Sequence, residues 1–188
     1  MKRDDGSLTE VTGTGWLDRQ WYPTTNPGTD VYLGHCWIAI HLSDGTDIAA
    51  YRCLGDGGAS PYPLFEVMGP DNSYSHYSAD TIKTLELFQT TPIGQGPMRE
   101  FQFPLSLKVA HPKTATDLTL TIATANPMDN ALDLGAKGCF FEGGFTVSGF
   151  HDSQPVQGDA FVEVSLFGAV EGPVEVPEWR KRHADDQA

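Results

Sequence analysis

Short apolar runs with a period of two dominate the chain. The clearest is Phe101, Phe103, Leu105, Leu107 and Val109, alternating with Gln102, Pro104, Ser106, Lys108 and Ala110. That alternation predicts a strand with one apolar face. Pro104 inside it predicts an edge position or a bulge. Leu118, Leu120 and Ile122 alternate with Thr119 and Thr121 in the same way. His35–Leu42 and Asp47–Cys53 read as two strands joined by a tight Asp-Gly turn, Ser43-Asp44-Gly45-Thr46. Further strands are predicted over Leu8–Thr12, Pro63–Met68, Ile82–Gln89, Cys139–Gly149 and Ala160–Gly168. Trp16–Trp21 continues the first of these or begins another. Glycines and prolines punctuate the runs, as in Asn26-Pro27-Gly28, Asp56-Gly57-Gly58 and Gly69-Pro70-Asp71-Asn72. No long stretch carries a helical period. Only Asn126–Leu134 and the tail allow a short helix. About eight to ten hairpin-linked strands predict an all-β antiparallel barrel or sandwich. A barrel of this size can hold one small ligand inside. The expected organisation is a frayed terminus over 1–5, the barrel over 6–172 and a charged polar tail over 173–188.

Composition narrows the partners. A chain of 188 residues is about one domain, large enough for its own core. Its 25 acids against 12 bases give a net charge of −13, which repels phosphate backbones and argues against nucleic acid. Cys36, Cys53 and Cys139 form no Cys-x-x-Cys pair and are odd in number, so they read as free thiols in a reducing, cytoplasmic setting. No metal site is expected. No apolar run approaches the roughly 18 residues of a membrane span, and no leader is visible at the start.

Polar groups placed among aromatics mark the candidate chemistry. Gly13-Thr14-Gly15 is followed by Trp16-Leu17-Asp18-Arg19-Gln20-Trp21. A strand built only to fill a core would not carry Asp18, Arg19 and Gln20 between two tryptophans. On a strand, Trp16, Asp18 and Gln20 share one face, while Leu17, Arg19 and Trp21 share the other. Asp18 can equally be read as one half of a structural ion pair. On the next strand His35, Trp37, Ala39 and His41 share a face, opposite Cys36, Ile38, Ile40 and Leu42. His35 beside Trp37 is the better acid–base candidate, and His41, next to the turn, is expected in solvent. Phe140-Phe141-Glu142-Gly143-Gly144 sets a carboxylate among aromatics and glycines. Apolar surroundings that raise the pKa of Glu142 would make it a general acid. Glu163, between Phe161 and Ser165 on one strand face, repeats the pattern; a structural ion pair is its other reading. The serine-elbow, phosphate-loop, zincin and dinucleotide motifs are absent.

Gly15-Trp16-Leu17-Asp18-Arg19-Gln20-Trp21 resembles the signature of the carotenoid 1,2-hydratase (hydroxyneurosporene synthase)/AttH-like lipocalin superfamily. Trp37–Gly45 with Tyr51, Phe140-Phe141-Glu142-Gly143 and Gly158–Gly168 are similar to further blocks of that family, in order. The resemblance implies a lipocalin-like barrel and a chain matching the second of two tandem domains. A second lipocalin-like domain, from another copy or chain, is then a candidate partner. It also implies an apolar polyene or terpenoid-type guest and no redox or other cofactor. Two departures matter. The hydratases carry a histidine where this chain has Arg19, and Tyr-x-Asp where it has Tyr51-Arg52-Cys53. Arg19 stays charged and cannot donate that proton. The resemblance therefore favours a cofactor-free cyclase of the Diels–Alderase type. Arg19, Asp18, Glu142 and Tyr51 would be its catalytic groups. Trp16, Gln20, Trp21, His35, Trp37, Phe141 and Glu163 would line its pocket. An acid-catalysed hydratase using Glu142 or Asp18, and a carrier that leaves its ligand unchanged, are the alternatives.

Overall fold

A computed structural model describes residues 5–17, 34–54, 63–89, 102–126, 130–133 and 139–166. Ten antiparallel strands make one curled sheet. They are β1 (Gly34–Leu42), β2 (Asp47–Leu54), β3 (Leu64–Met68), β4 (Tyr74–Tyr77) and β5 (Ile82–Gln89). β6 (Gln102–His111), β7 (Thr116–Ile122), β8 (Ala131–Asp133), β9 (Cys139–His151) and β10 (Gln154–Leu166) complete the set. The order across the sheet is β4-β3-β2-β1-β10-β9-β7-β6-β5, with β8 alongside β9. This half-barrel is the lipocalin-like, all-β fold that the strand count and the resemblance predict.

Local chemistry explains most of the pattern. The β1–β2 turn closes as the Asp-Gly pair demands. Gly45 adopts φ +87° and donates its N–H to the Leu42 carbonyl at 3.0 Å, while Asp44 Oδ1 accepts the Thr46 N–H at 2.9 Å. Pro104 faces Leu87 where the β5–β6 register shifts, and β6 pairs with β7 only from Ser106 onward. The missing N–H therefore falls at a bulge outside the β7 ladder.

Four expectations need correction. Leu8–Thr12 is not a strand: it makes a single bridge at Leu8, and Leu8 and Val11 are exposed. With Leu8 and Val11 in solvent, its alternation buries no apolar face. Ala131–Asp133, inside the stretch that allows a short helix, is β8, paired to Phe141–Cys139; positions 127–129 and 134 lie outside the described residues. The polar edge strand β4, whose Tyr74 and Tyr77 fall on opposite faces, has no counterpart among the predicted strands. The last two strands are longer than their composition suggests. They run to a two-residue turn in which Asp152 and Ser153 both take positive φ, +48° and +61°. Pro155 fits there because β1 reaches only as far as Gly158, leaving no ladder on that side for it to break.

The curled sheet closes on an apolar interior. Cys36, Ile38, Ile40 and Leu42 of β1 face inward with Phe65, Leu107, Leu118, Phe145 and Val162, all buried. Side chains of this size each contribute about 1.5–3 kcal/mol when fully buried. The two ends of the sheet meet through side chains rather than a ladder. Arg52 Nη1 donates to the Ile82 carbonyl at 2.9 Å, and His111 stacks on Phe65 at 4.8 Å and meets Tyr77 at a tilt of 44° and 4.3 Å. Burial pushes the Cys36 thiol up to about 12. The native protein should therefore leave Cys36 unmodified by iodoacetamide at neutral pH, with alkylation appearing only after denaturation, as read by peptide mass.

One buried polar chain crosses the floor. His111 Nδ1 lies 3.2 Å from Thr114 Oγ1, which lies 2.7 Å from Thr116 Oγ1, which lies 2.9 Å from His151 Nδ1. Burial first, then the Lys113 charge, hold the His111 pKa below its ordinary value. The folded chain thus keeps His111 neutral while the unfolded chain protonates it. The stabilisation is complete above the ordinary histidine value of about 6.5 and is lost as pH falls below it. Melting scans between about pH 7.5 and about pH 5.5 should show a falling Tm, with a shallower fall in His111→Gln.

Candidate functional site

The side chains turned into the curl of the sheet form the buried apolar core, and the candidate pocket lies on the opposite face. Residues with odd numbers on β1, β2 and β10, and with even numbers on β9, point away from the core. The Asp152–Ser153 turn fixes the β9–β10 register, and that register sets Glu163 directly opposite Glu142. On its other flank Glu163 faces Trp37 of β1. Cross-strand neighbours of this kind have Cβ atoms about 4.5–5.5 Å apart. Nε2 of His35 lies 2.7 Å from Oε1 of Glu163. Tyr51, opposite Trp37 on β2, stacks on His35 at 5.7 Å.

A strap covers this face. Thr14, Gly15 and Trp16 run across it without being strand. The Trp16 ring stacks on His41, with centroids 4.9 Å apart, and meets Trp37 at 6.3 Å and 87°. Phe161 meets Trp37 at 6.3 Å and 65°. Strap and sheet border a half-open pocket of about 480 Å³, a volume suited to a small organic guest. Its sheet wall carries Trp37, His41, Glu142, Asp159, Phe161 and Glu163. Gly144, next to Phe161 in the register, has open space where a Cβ would stand, so no side chain crowds that corner.

Two polar devices stand in this wall. The first is the carboxylate pair. Desolvation, and then the negative charge of Glu163, hold the Glu142 pKa above its ordinary value. Glu163 instead has an imidazole at hydrogen-bond distance. Glu142 is thereby biased toward its protonated form relative to an ordinary carboxyl. The second is a histidine–carboxylate dyad. His41 Nδ1 lies 2.5 Å from Asp47 Oδ1, and the buried His41 Nε2 has no hydrogen-bond partner. Asp47 thus orients the ring and leaves Nε2 as its free nitrogen.

Of the candidate residues, Trp16, His35, Trp37, Tyr51, Glu142 and Glu163 lie on one face of the sheet. Phe141 is not part of that wall. It is fully buried on the opposite face, stacked on Phe103 at 5.1 Å, because its odd position in β9 turns it inward. Asp18, Arg19, Gln20 and Trp21 lie outside the described residues. His41, Asp47 and Asp159 were missed. Parity with Trp37 was the available signal for His41, and the tight turn placed Asp47 opposite it. Among the described residues, no group of three or more His, Cys, Asp or Glu side chains could hold a metal ion. None of the described helices is long and apolar enough to cross a membrane.

Residues 2–166 match the AttH-like family. The chain belongs to that family. Two solved structures share the fold of this AttH-like chain. One is kievitone hydratase from Nectria haematococca, 19% identical with a TM-score of 0.60, the match covering 80% of this chain and 43% of that one. The other is an AttH protein from Nitrosomonas europaea, 16% identical with a TM-score of 0.57, covering 78% of this chain and 42% of that one. The AttH-like chain thus spans less than half the length of either structure it matches. Comparison with curated proteins returns no match.

Proposed function

We propose that the outer pocket hydrates a carbon–carbon double bond in an apolar, isoprenoid-type small molecule by acid catalysis. The observation that carries this reading is Glu142, held above its ordinary pKa beside Glu163 at the wall of an aromatic cavity. Protonating an alkene needs a positioned acid with an accessible proton. The Glu142 O–H delivers that proton to one alkene carbon, and the π electrons form the new C–H bond. Positive charge develops on the other carbon, against the faces of Trp37, Trp16 and Phe161. Water adds there, forming the C–O bond, and gives up a proton to Glu163. Solvent returns a proton to Glu142 and takes one from Glu163. His35 and Tyr51 hold Glu163 in place for this exchange. The hydratase among the family's solved relatives supports the same reaction class.

The test uses phenolic isoprenoids and polyenes as probes in H₂¹⁸O. Product carrying the label supports hydration. Product of unchanged mass moves the assignment to a cyclase, and bound but unchanged probe moves it to a carrier.

A further inference from the structure

The cavity wall is rich in acids. Glu142, Asp159 and Glu163 contribute three carboxyls; the His35 imidazole lies at hydrogen-bond distance from Glu163, and among the described lining residues no lysine or arginine stands with the other two. Beside them stand the rings of Trp16, Trp37 and Phe161 and the imidazole of His41, which is opposite Asp159 in the register. Trp37 stands nearly perpendicular to Trp16 and steeply inclined to Phe161, so rings bound the space from different directions. Such a wall is poorly matched to a neutral guest in its resting state. Covering carboxylates with an apolar molecule strips their water without replacing it. An anionic guest is repelled outright. A cation answers both features, attracted by the carboxylates and by the negative faces of the rings.

We infer that this pocket selects positive charge, and that it binds bulky organic cations of the benzylic quaternary ammonium class in preference to neutral molecules of the same shape. The inference shares its pocket with the hydratase reading but not its reaction. It states what the wall recognises, whatever bond is made there. It also gives the wall's charge a purpose: the site complements a cation formed along a reaction better than the neutral compound that enters.

Benzyltrimethylammonium and its neutral carbon isostere, neopentylbenzene, form the deciding pair. Their binding to the whole chain is followed by saturation-transfer NMR and by tryptophan fluorescence. The cation should bind about tenfold or more tightly than the isostere. Trp37→Leu should weaken the cation about tenfold, while Trp37→Phe retains part of that loss. Glu163→Gln should narrow the preference between the two ligands. Should the indole variant perturb the fold, the carboxyl variant carries the comparison. Equal or stronger binding of neopentylbenzene overturns the inference, as does cation binding indifferent to both Trp37→Leu and Glu163→Gln. Charge preference without ¹⁸O uptake from any probe sinks the hydratase reading alone. Uptake without charge preference sinks this inference alone.

Discussion

Glu142→Gln lowers kcat for alkene hydration by about 10²–10⁴-fold, the usual worth of one positioned general acid. The amide keeps the shape and the position opposite Glu163 but has no acidic proton to give. Folding is spared: Glu142 is exposed, and its replacement removes a repulsion with Glu163 rather than a bond. Its melting curve should therefore match wild type within about 0.5 kcal/mol. The pH profile gives a second check. Because the Glu142 pKa is raised, the acid stays protonated to higher pH than an ordinary carboxyl, and wild-type turnover falls as pH rises through that displaced value. Steady-state rates across pH, with a full thermal scan of the variant, measure both. A Glu142→Gln enzyme that keeps its rate points to a shape-driven cyclisation, for which this proton is idle.

Phe141→Ala, one residue away, fails for the opposite reason. Its ring is fully buried, stacked on Phe103 and set edge-on to Phe145 at 6.4 Å. Truncation leaves a cavity that the close-packed interior cannot fill, at a cost of about 3–5 kcal/mol. Chemical denaturation should show a lower midpoint with an unchanged m-value. Rate per folded molecule should be nearly preserved, because the side chain does not border the site. A Phe141→Ala protein of native stability but lost activity would place the ring at the guest instead. The two substitutions together separate the two faces of β9: one changes chemistry without stability, the other stability without chemistry.

Much of this was legible in the sequence, and the remainder failed for identifiable reasons. Period-two alternation gave most strands, and the Asp-Gly turn gave β1 and β2 almost to the residue. Parity also grouped His35, Trp37 and His41 correctly. It could not say which face was inside, since both faces of β9 carry aromatic or glycine positions; Phe141 was therefore expected beside Glu142 rather than behind it. The meeting of Glu142 with Glu163 depends on a turn of Asp152 and Ser153, neither of which announces positive φ as glycine would. Pro155 and Gly158 then made the start of β10 look like a loop. The dyad of His41 and Asp47 escaped because proximity to a turn was taken to mean water, whereas Trp16 arrives from far back in the chain and roofs the imidazole.

The strap and the sheet answer to different demands. Among the described residues every strand begins at Gly34 or later, so a shortened protein starting there would retain all ten of these strands. It would surrender Thr14, Gly15 and Trp16, and the cavity would become an open shelf. Changes of guest preference can therefore accumulate in those few early residues while the architecture stays as it is.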